Sequence, residues 1–265
     1  MTSFSAFHRG GSGPTLVCVH GFMHTWRSWD LVLPLLERHY DVFAPTLPCH
    51  AGGPDLDRPL SGEAILDELE AILDAAGIGR ARLVGNSLGG YMVLKLAERG
   101  RAESVVALAP AGGWPVGDSA FEGGIADHFV TVAELVREAA PHADEIVSTP
   151  DGRRQATAFS TVRFEHIPAE LLAHQIRGGA SCDYVGELLE LSVVEGWDLD
   201  PARIDCPVRI VWGTDDLLLP WPSSATRYRE WLPDADWVVL DGVGHVPQLD
   251  VPLETVELIV EFAGN

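Results

Sequence analysis

Ala81-Arg82-Leu83-Val84-Gly85-Asn86-Ser87-Leu88-Gly89 is the stretch on which the fold turns. A short apolar run feeds a Gly-x-Ser-x-Gly turn, and the turn feeds the amphipathic stretch Leu88 to Arg99. In such a strand-to-helix turn the residues two places either side of the serine must be small, or the backbones collide. The turn lifts the serine Oγ out of the sheet, and the following helix N-terminus aims a backbone N–H at any oxygen bound there. With 27 glycines in the chain, this five-residue pattern alone would arise by chance in about one such sequence in ten. Its context must therefore carry the reading.

Two further stretches follow in a telling order. Val208 to Trp212 reads as a buried strand broken by Gly213, and Asp215 and Asp216 lie just beyond it. Trp237 to Leu240 reads as another strand, followed by Gly242-Val243-Gly244-His245-Val246-Pro247 and a final helix from about Leu253 to Phe262. A serine hydroxyl is a poor nucleophile at neutral pH. It needs a histidine to take its proton, and the histidine needs a carboxylate to hold its tautomer and stabilise its cation. Ser87, Asp216 and His245 supply these three groups in the order Ser, Asp, His.

Together these motifs resemble the α/β-hydrolase superfamily, in its serine-nucleophile branch, over nearly the whole chain. The likeness rests also on Val19-His20-Gly21-Phe22 after the first apolar strand, on Trp212-Gly213-x-x-Asp216 and on Gly244-His245. Trp26, Trp29 and Leu33-Pro34-Leu35-Leu36 resemble the family's first helix. Pro48-Cys49-His50 stands where the family usually has Pro-Gly-His, so Cys49 replaces a glycine. The spacing of four after Trp212 favours Asp216 over its neighbour Asp215 as the acid.

The resemblance implies an oxyanion hole made by the backbone N–H groups of Phe22 and Leu88. It implies a structural role for His20, its ring bonded to nearby backbone. Loops converging on Ser87 nominate Met23, His24, Trp114, Leu218 and Val246 as substrate-pocket residues, with Phe159, Phe164 and His166 as further candidates. Many apolar candidates and few basic ones suggest an uncharged, largely apolar substrate, with Arg163 and Arg177 as the side chains that could instead bind a carboxylate.

Short apolar runs at Thr15–Val19, Asp41–Ala44, Ala81–Val84, Ser104–Leu108, Val208–Trp212 and Trp237–Leu240 alternate with helical stretches near Thr25–Arg38, Ser61–Ala76, Leu88–Arg99 and Pro222–Trp231. Phe4–His8 is a candidate edge strand. That alternation predicts a mostly parallel sheet with helices on both faces, an α/β fold. The family's core has eight strands, and so little sequence precedes Thr15 that one N-terminal strand is expected to be short or absent. Between Pro110 and Ile204 the alternation gives way to helical patterns at Ala120–Phe129, Thr131–Ala140, Gly152–Phe159, Pro168–Ser181 and Tyr184–Glu195. The resemblance implies a core of residues 1–111 and 205–265 and a helical cap of residues 112–204 that covers the cleft.

Composition narrows the partners. The 265 residues carry 39 acidic and 18 basic side chains, a net charge of −21, which argues against nucleic acid and anionic membrane as partners. No apolar run approaches the roughly 20 residues of a membrane span, and residues 1–13 lack a signal pattern, so a cytoplasmic location is expected. Cys18, Cys49, Cys182 and Cys206 are scattered without C-x-x-C spacing, and no H-E-x-x-H occurs, so neither a disulfide framework, a metal nor another cofactor is expected. A small-molecule substrate and a monomer or homodimer complete the expectation.

The expected chemistry is ester hydrolysis through an acyl-enzyme. The same three residues would serve a C–C bond hydrolase, a lactonase, a thioesterase, an amidase or a cofactor-free haloperoxidase. Asn86 and Gly244-His245-x-Pro247-Gln248 lean somewhat towards the C–C branch. Dehalogenases and epoxide hydrolases are disfavoured because that chemistry uses an aspartate at the position of Ser87. A noncatalytic ligand-binding homologue is the alternative of another class.

Overall fold

The computed structural model describes residues 4–115, 119–194 and 196–264. Its strands run Phe7–Gly11 (β1), Thr15–Val19 (β2), Asp41–Pro45 (β3), Ala81–Asn86 (β4), Ala102–Leu108 (β5), Val208–Gly213 (β6) and Asp236–Leu240 (β7). They form one sheet in the order β1-β3-β2-β4-β5-β6-β7. β1 pairs antiparallel with β3, and the other pairings are parallel.

The helices are Leu33–Leu36 (α1), Gly62–Ala75 (α2), Leu88–Glu98 (α3), Ser119–Ala139 (α4), Ala143–Val147 (α5), Pro150–Thr157 (α6), Ala169–Ala180 (α7), Val185–Val194 (α8), Thr226–Trp231 (α9), Pro247–Asp250 (α10) and Pro252–Ala263 (α11). From α4 to α8 the described chain between β5 and β6 contributes helices and no strand. No described helix is long and apolar enough to cross a membrane.

Alternation along the strands divides the interior in two. Val17 and Val19 of β2 join a core with α2 and α3, while Leu16 and Cys18 join a second with α1 and α11. Leu83 and Val84 of β4, and Val105 and Val106 of β5, divide in the same way. Successive side chains of a strand point to opposite faces, so a sheet covered on both sides needs apolar residues at every position. Ser61 caps α2 by accepting a hydrogen bond from the Ala64 N–H at 3.0 Å, which satisfies one of the helix's free donors.

Several expected elements differ from those observed. The edge strand lies three residues later, at Phe7–Gly11 rather than Phe4–His8. The expected helix Thr25–Arg38 is a 3-10 turn at Trp26–Trp29 followed by the four-residue α1, with Pro34 in the first turn of α1. Proline lacks an N–H donor, so it suits the start of a helix and not its interior. Ala120–Phe129 and Thr131–Ala140 are one 21-residue helix, α4. The β-branched run Val130-Thr131-Val132 weakens helix propensity without breaking the helix, and Pro141 lies just beyond its end.

The strand order fixes where a ligand can sit. The chain passes from β2 outward to β3 and returns to β4 on the other side of β2, so the order reverses between β2 and β4. Loops leaving the carboxyl ends of two such strands diverge and leave a crevice. Residues 20–24 follow β2, and Ser87 follows β4.

Candidate active site

Ser87 occupies the sharp turn between β4 and α3 with φ 55° and ψ −118°. A side-chain-bearing residue held there costs about 1–3 kcal/mol and persists only where its surroundings impose it. The flanking glycines explain how. A Cβ at Gly85 would lie 2.1 Å from the Gly89 carbonyl oxygen, and one at Gly89 would lie 2.2 Å from that of Val19. β4 and α3 thus meet backbone to backbone, with the serine at the crest and 7 % exposed.

Asp216 and His245 come from the loops after β6 and β7. His245 Nδ1 lies 2.7 Å from Asp216 Oδ2, and both residues are buried. Asp216 Oδ1 accepts the N–H groups of Leu218 at 2.9 Å and Leu219 at 2.7 Å, so both carboxylate oxygens are engaged. A carboxylate in that position accepts from Nδ1–H, which leaves Nε2 as the bare acceptor of a neutral ring. Nε2 is buried and has no partner among the described residues. Asp215, by contrast, is exposed, and Thr214 Oγ1 donates to it at 3.0 Å.

The loop after β2 approaches from the other side. Gly21 stands so close that a Cβ on it would meet Ser87 Cβ at 3.2 Å. A tight turn follows, closed by His24 N–H donating to the Gly21 carbonyl at 3.2 Å, with Met23 at φ 61°. Backbone pairing among the described residues uses neither the Phe22 nor the Leu88 N–H. Both nitrogens of His20 are occupied: Nδ1 donates to the Gly21 carbonyl at 2.7 Å, and Nε2 accepts from Leu47 N–H at 2.8 Å. Cys49 adopts φ 63°, the left-handed conformation a glycine would take without strain.

Two cavities meet at Ser87. One, of about 350 Å³, runs over α3 and is lined by Leu88, Met92, Trp114, Leu188 and Trp197 among others. The second, of about 360 Å³, runs under α4 and α7 and is lined by Met23, His24, Gln175, His245 and Val246 among others. Phe22, Ser87, Phe129 and Leu218 line both. Phe159 lines the second cavity and is half exposed. Phe164 and His166 line neither. Phe164 packs in the core of α5 and α7, and His166 Nε2 donates to the Leu249 carbonyl at 2.7 Å. Arg163 and Arg177 also line neither, and Arg177 pairs with Asp144 at 2.6 Å.

The model of a family described as "Alpha/beta hydrolase family" matches residues 16–258. This chain belongs to the alpha/beta hydrolase family. The hydrolase is 31 % identical over 208 residues to the epoxide hydrolase EphH of Mycobacterium tuberculosis, an overlap covering 77 % of this chain and 95 % of that one. Its fold is shared with the enol-lactonase of Burkholderia xenovorans LB400, at a TM-score of 0.73 and 19 % identity over 98 % of this chain and 96 % of that one. A thermophilic esterase of Thermogutta terrifontis aligns at a TM-score of 0.68 and 23 % identity, over 97 % and 91 % of the two chains.

Further contacts support the hydrolase's site. Asn86 Nδ2 donates to the carbonyls of Leu108 and His245, at 3.1 and 3.0 Å, and its Oδ1 accepts from Gln248 Nε2 at 3.2 Å. Asp250 is buried and accepts the N–H groups of Gly244 at 2.6 Å, Val162 at 3.1 Å and Arg163 at 2.6 Å. Val246 N–H donates to the Ser160 carbonyl at 2.9 Å. Backbone groups on either side of His245 are thus tied to residues 160–163, between α6 and α7. Most of these partners are distant in sequence, so only Asn86 and the run Gly244 to Asp250 could have drawn attention to them.

Burial keeps the hydrolase's inner histidines neutral. It lowers His24 and His50 to about 4, and His20 well below its ordinary value, with neighbouring histidines adding to the effect at His20 and His24. An unfolded imidazole takes its proton near pH 6.5, whereas His24 and His50 resist until about pH 4. Between those values the unfolded state binds more protons, so stability is present above about pH 6.5 and falls as the pH drops towards 4. The urea midpoint is therefore expected to be lower at pH 5.0 than at pH 7.5. An equal or higher midpoint at pH 5.0 would contradict this account.

Proposed function

We propose that this hydrolase cleaves a carboxylic ester through an acyl-enzyme formed on Ser87. One observation carries the reading: the Asp216–His245 contact leaves Nε2 bare and buried on a ring that lines the same cavity as Ser87. In this mechanism His245 takes the Ser87 proton as Oγ attacks the ester carbonyl. The Phe22 and Leu88 N–H groups hold the oxyanion, and His245 then protonates the departing alcohol. Water activated by the same ring releases the acid. Asp216 holds the tautomer throughout, and residues 112–204 act as a cap that excludes bulk water. A lactone, being a cyclic ester, fits the same steps.

Epoxide opening fits less well. Attack of Ser87 on an epoxide carbon would leave a seryl ether with no carbonyl for water to attack, and turnover would stop. The acyl-enzyme has that carbonyl.

Wild type is expected to hydrolyse 4-nitrophenyl esters from acetate to decanoate, and Ser87→Ala to lose at least about a thousandfold in kcat. A folded wild type without activity would instead favour a ligand-binding protein with a silent site. Equal rates in the two proteins would remove Ser87 from the mechanism.

A further inference from the structure

The two cavities differ in chemistry, and the difference has a direction. His245 lines only the second. In the esterase reading the departing alcohol takes its proton from His245 Nε2, so that alcohol lies on the second side. The acyl chain then lies on the first, beside Leu88, Met92 and Trp114.

Besides His245, two residues that line the second chamber carry a buried side-chain nitrogen with no partner among the described residues: His24 Nδ1 and Gln175 Nε2. Buried polar groups are almost always bonded, so orphans lining a cavity call for a partner from outside. Their placement is fixed by adjacent contacts. His24 closes the turn on Gly21. Thr25 Oγ1 and His174 Nε2, the next residue and the preceding one, lie 2.9 Å apart. The chamber's described lining includes no Asp, Glu, Lys or Arg. His24 and His128 are kept neutral by burial, so nothing there would compensate a charged ligand.

Resting on that esterase reading, we propose that the second chamber is a subsite for a neutral, hydrogen-bonding alcohol, gripped by His24 and Gln175. The substrate class is an ester of an apolar acid with an alcohol bearing a hydroxyl or carboxamide group. A carboxamide or hydroxyl both donates and accepts, so it satisfies the Gln175 NH₂ and either tautomer of His24. An apolar alcohol of the same shape would leave both protein groups buried and unpaired.

The test compares two butyrate esters of matching shape, 2-acetamidoethyl butyrate and 4-methylpentyl butyrate. Each kcat/KM is divided by that ester's rate of hydroxide hydrolysis. Wild type is expected to favour the acetamido ester by about tenfold or more, as one buried hydrogen bond to a substrate gives. Gln175→Met and His24→Phe are each expected to shrink that ratio several-fold. The ratio is internal to each protein, so loss of folded enzyme cancels. About equal normalised rates in wild type, or an undiminished ratio in both variants, would overturn the subsite and leave the esterase reading standing. Hydrolysis of neither ester by folded wild type would overturn both.

Discussion

Asp216→Asn is expected to lower kcat about ten-thousandfold while the protein remains folded. Asp216 Oδ1 faces two fixed N–H donors, from Leu218 and Leu219. The asparagine must present its carbonyl oxygen to them, which turns its NH₂ towards His245 Nδ1. Two donors cannot share that contact, so Nδ1 becomes the acceptor and the proton moves to Nε2. A ring protonated at Nε2 cannot accept the Ser87 proton. The loss should appear in kcat and kcat/KM alike, because in the proposed mechanism the acid acts on proton transfer and not on the fit of the substrate. A fall of less than about tenfold would mean that His245 does not depend on this contact for its tautomer.

Gly89→Ala is expected to destabilise the fold by about 4 kcal/mol or more, or to prevent folding. Its Cβ would stand 2.2 Å from the Val19 carbonyl oxygen and 2.5 Å from that of His20. Neither is a side chain that can swing aside, since Val19 ends β2 in the middle of the sheet. Gly186→Ala is the contrast. It lies in α8 with nothing within 4 Å of an added Cβ, and the change should raise stability by about 0.5–1 kcal/mol through helix propensity. Urea unfolding of the two variants checks the pair. Comparable midpoints would show that the turn around Ser87 can yield, contrary to the contact geometry.

What could be read without coordinates follows a physical divide. β2 was legible to the residue and β4 by its start, because a strand buried on both faces is a continuous apolar run bounded by breakers. The places of Ser87 at the turn after β4, and of Asp216 and His245 on the loops after β6 and β7, were legible because each sits beside a glycine or strand end with its own local signature. The two-part helix at Trp26–Leu36 and the undivided α4 were misread because the competing signals, Pro34 and a β-branched run, act on helix continuity without abolishing helix. The two chambers were not legible as separate spaces. Phe22, Phe129 and Leu218 line both, yet they come from three distant loops and helices, and no periodicity links them. Phe164 and Phe159 show the same limit. Both are aromatic and only five residues apart, but one packs into a helical core and the other lines a cavity.

The Asp250 carboxylate bears on how such proteins can be recombined. The helical segment between β5 and β6 invites exchange for that of a relative with another specificity. Yet two of the N–H groups that Asp250 accepts, those of Val162 and Arg163, belong to that segment, and the third, from Gly244, belongs to the loop that carries His245. A graft lacking the turn at residues 160–163 would leave the buried Asp250 side chain short of two donors beneath the loop that carries His245. Chimeras built on this scaffold therefore need that turn carried over unchanged, or Asp250 replaced together with it.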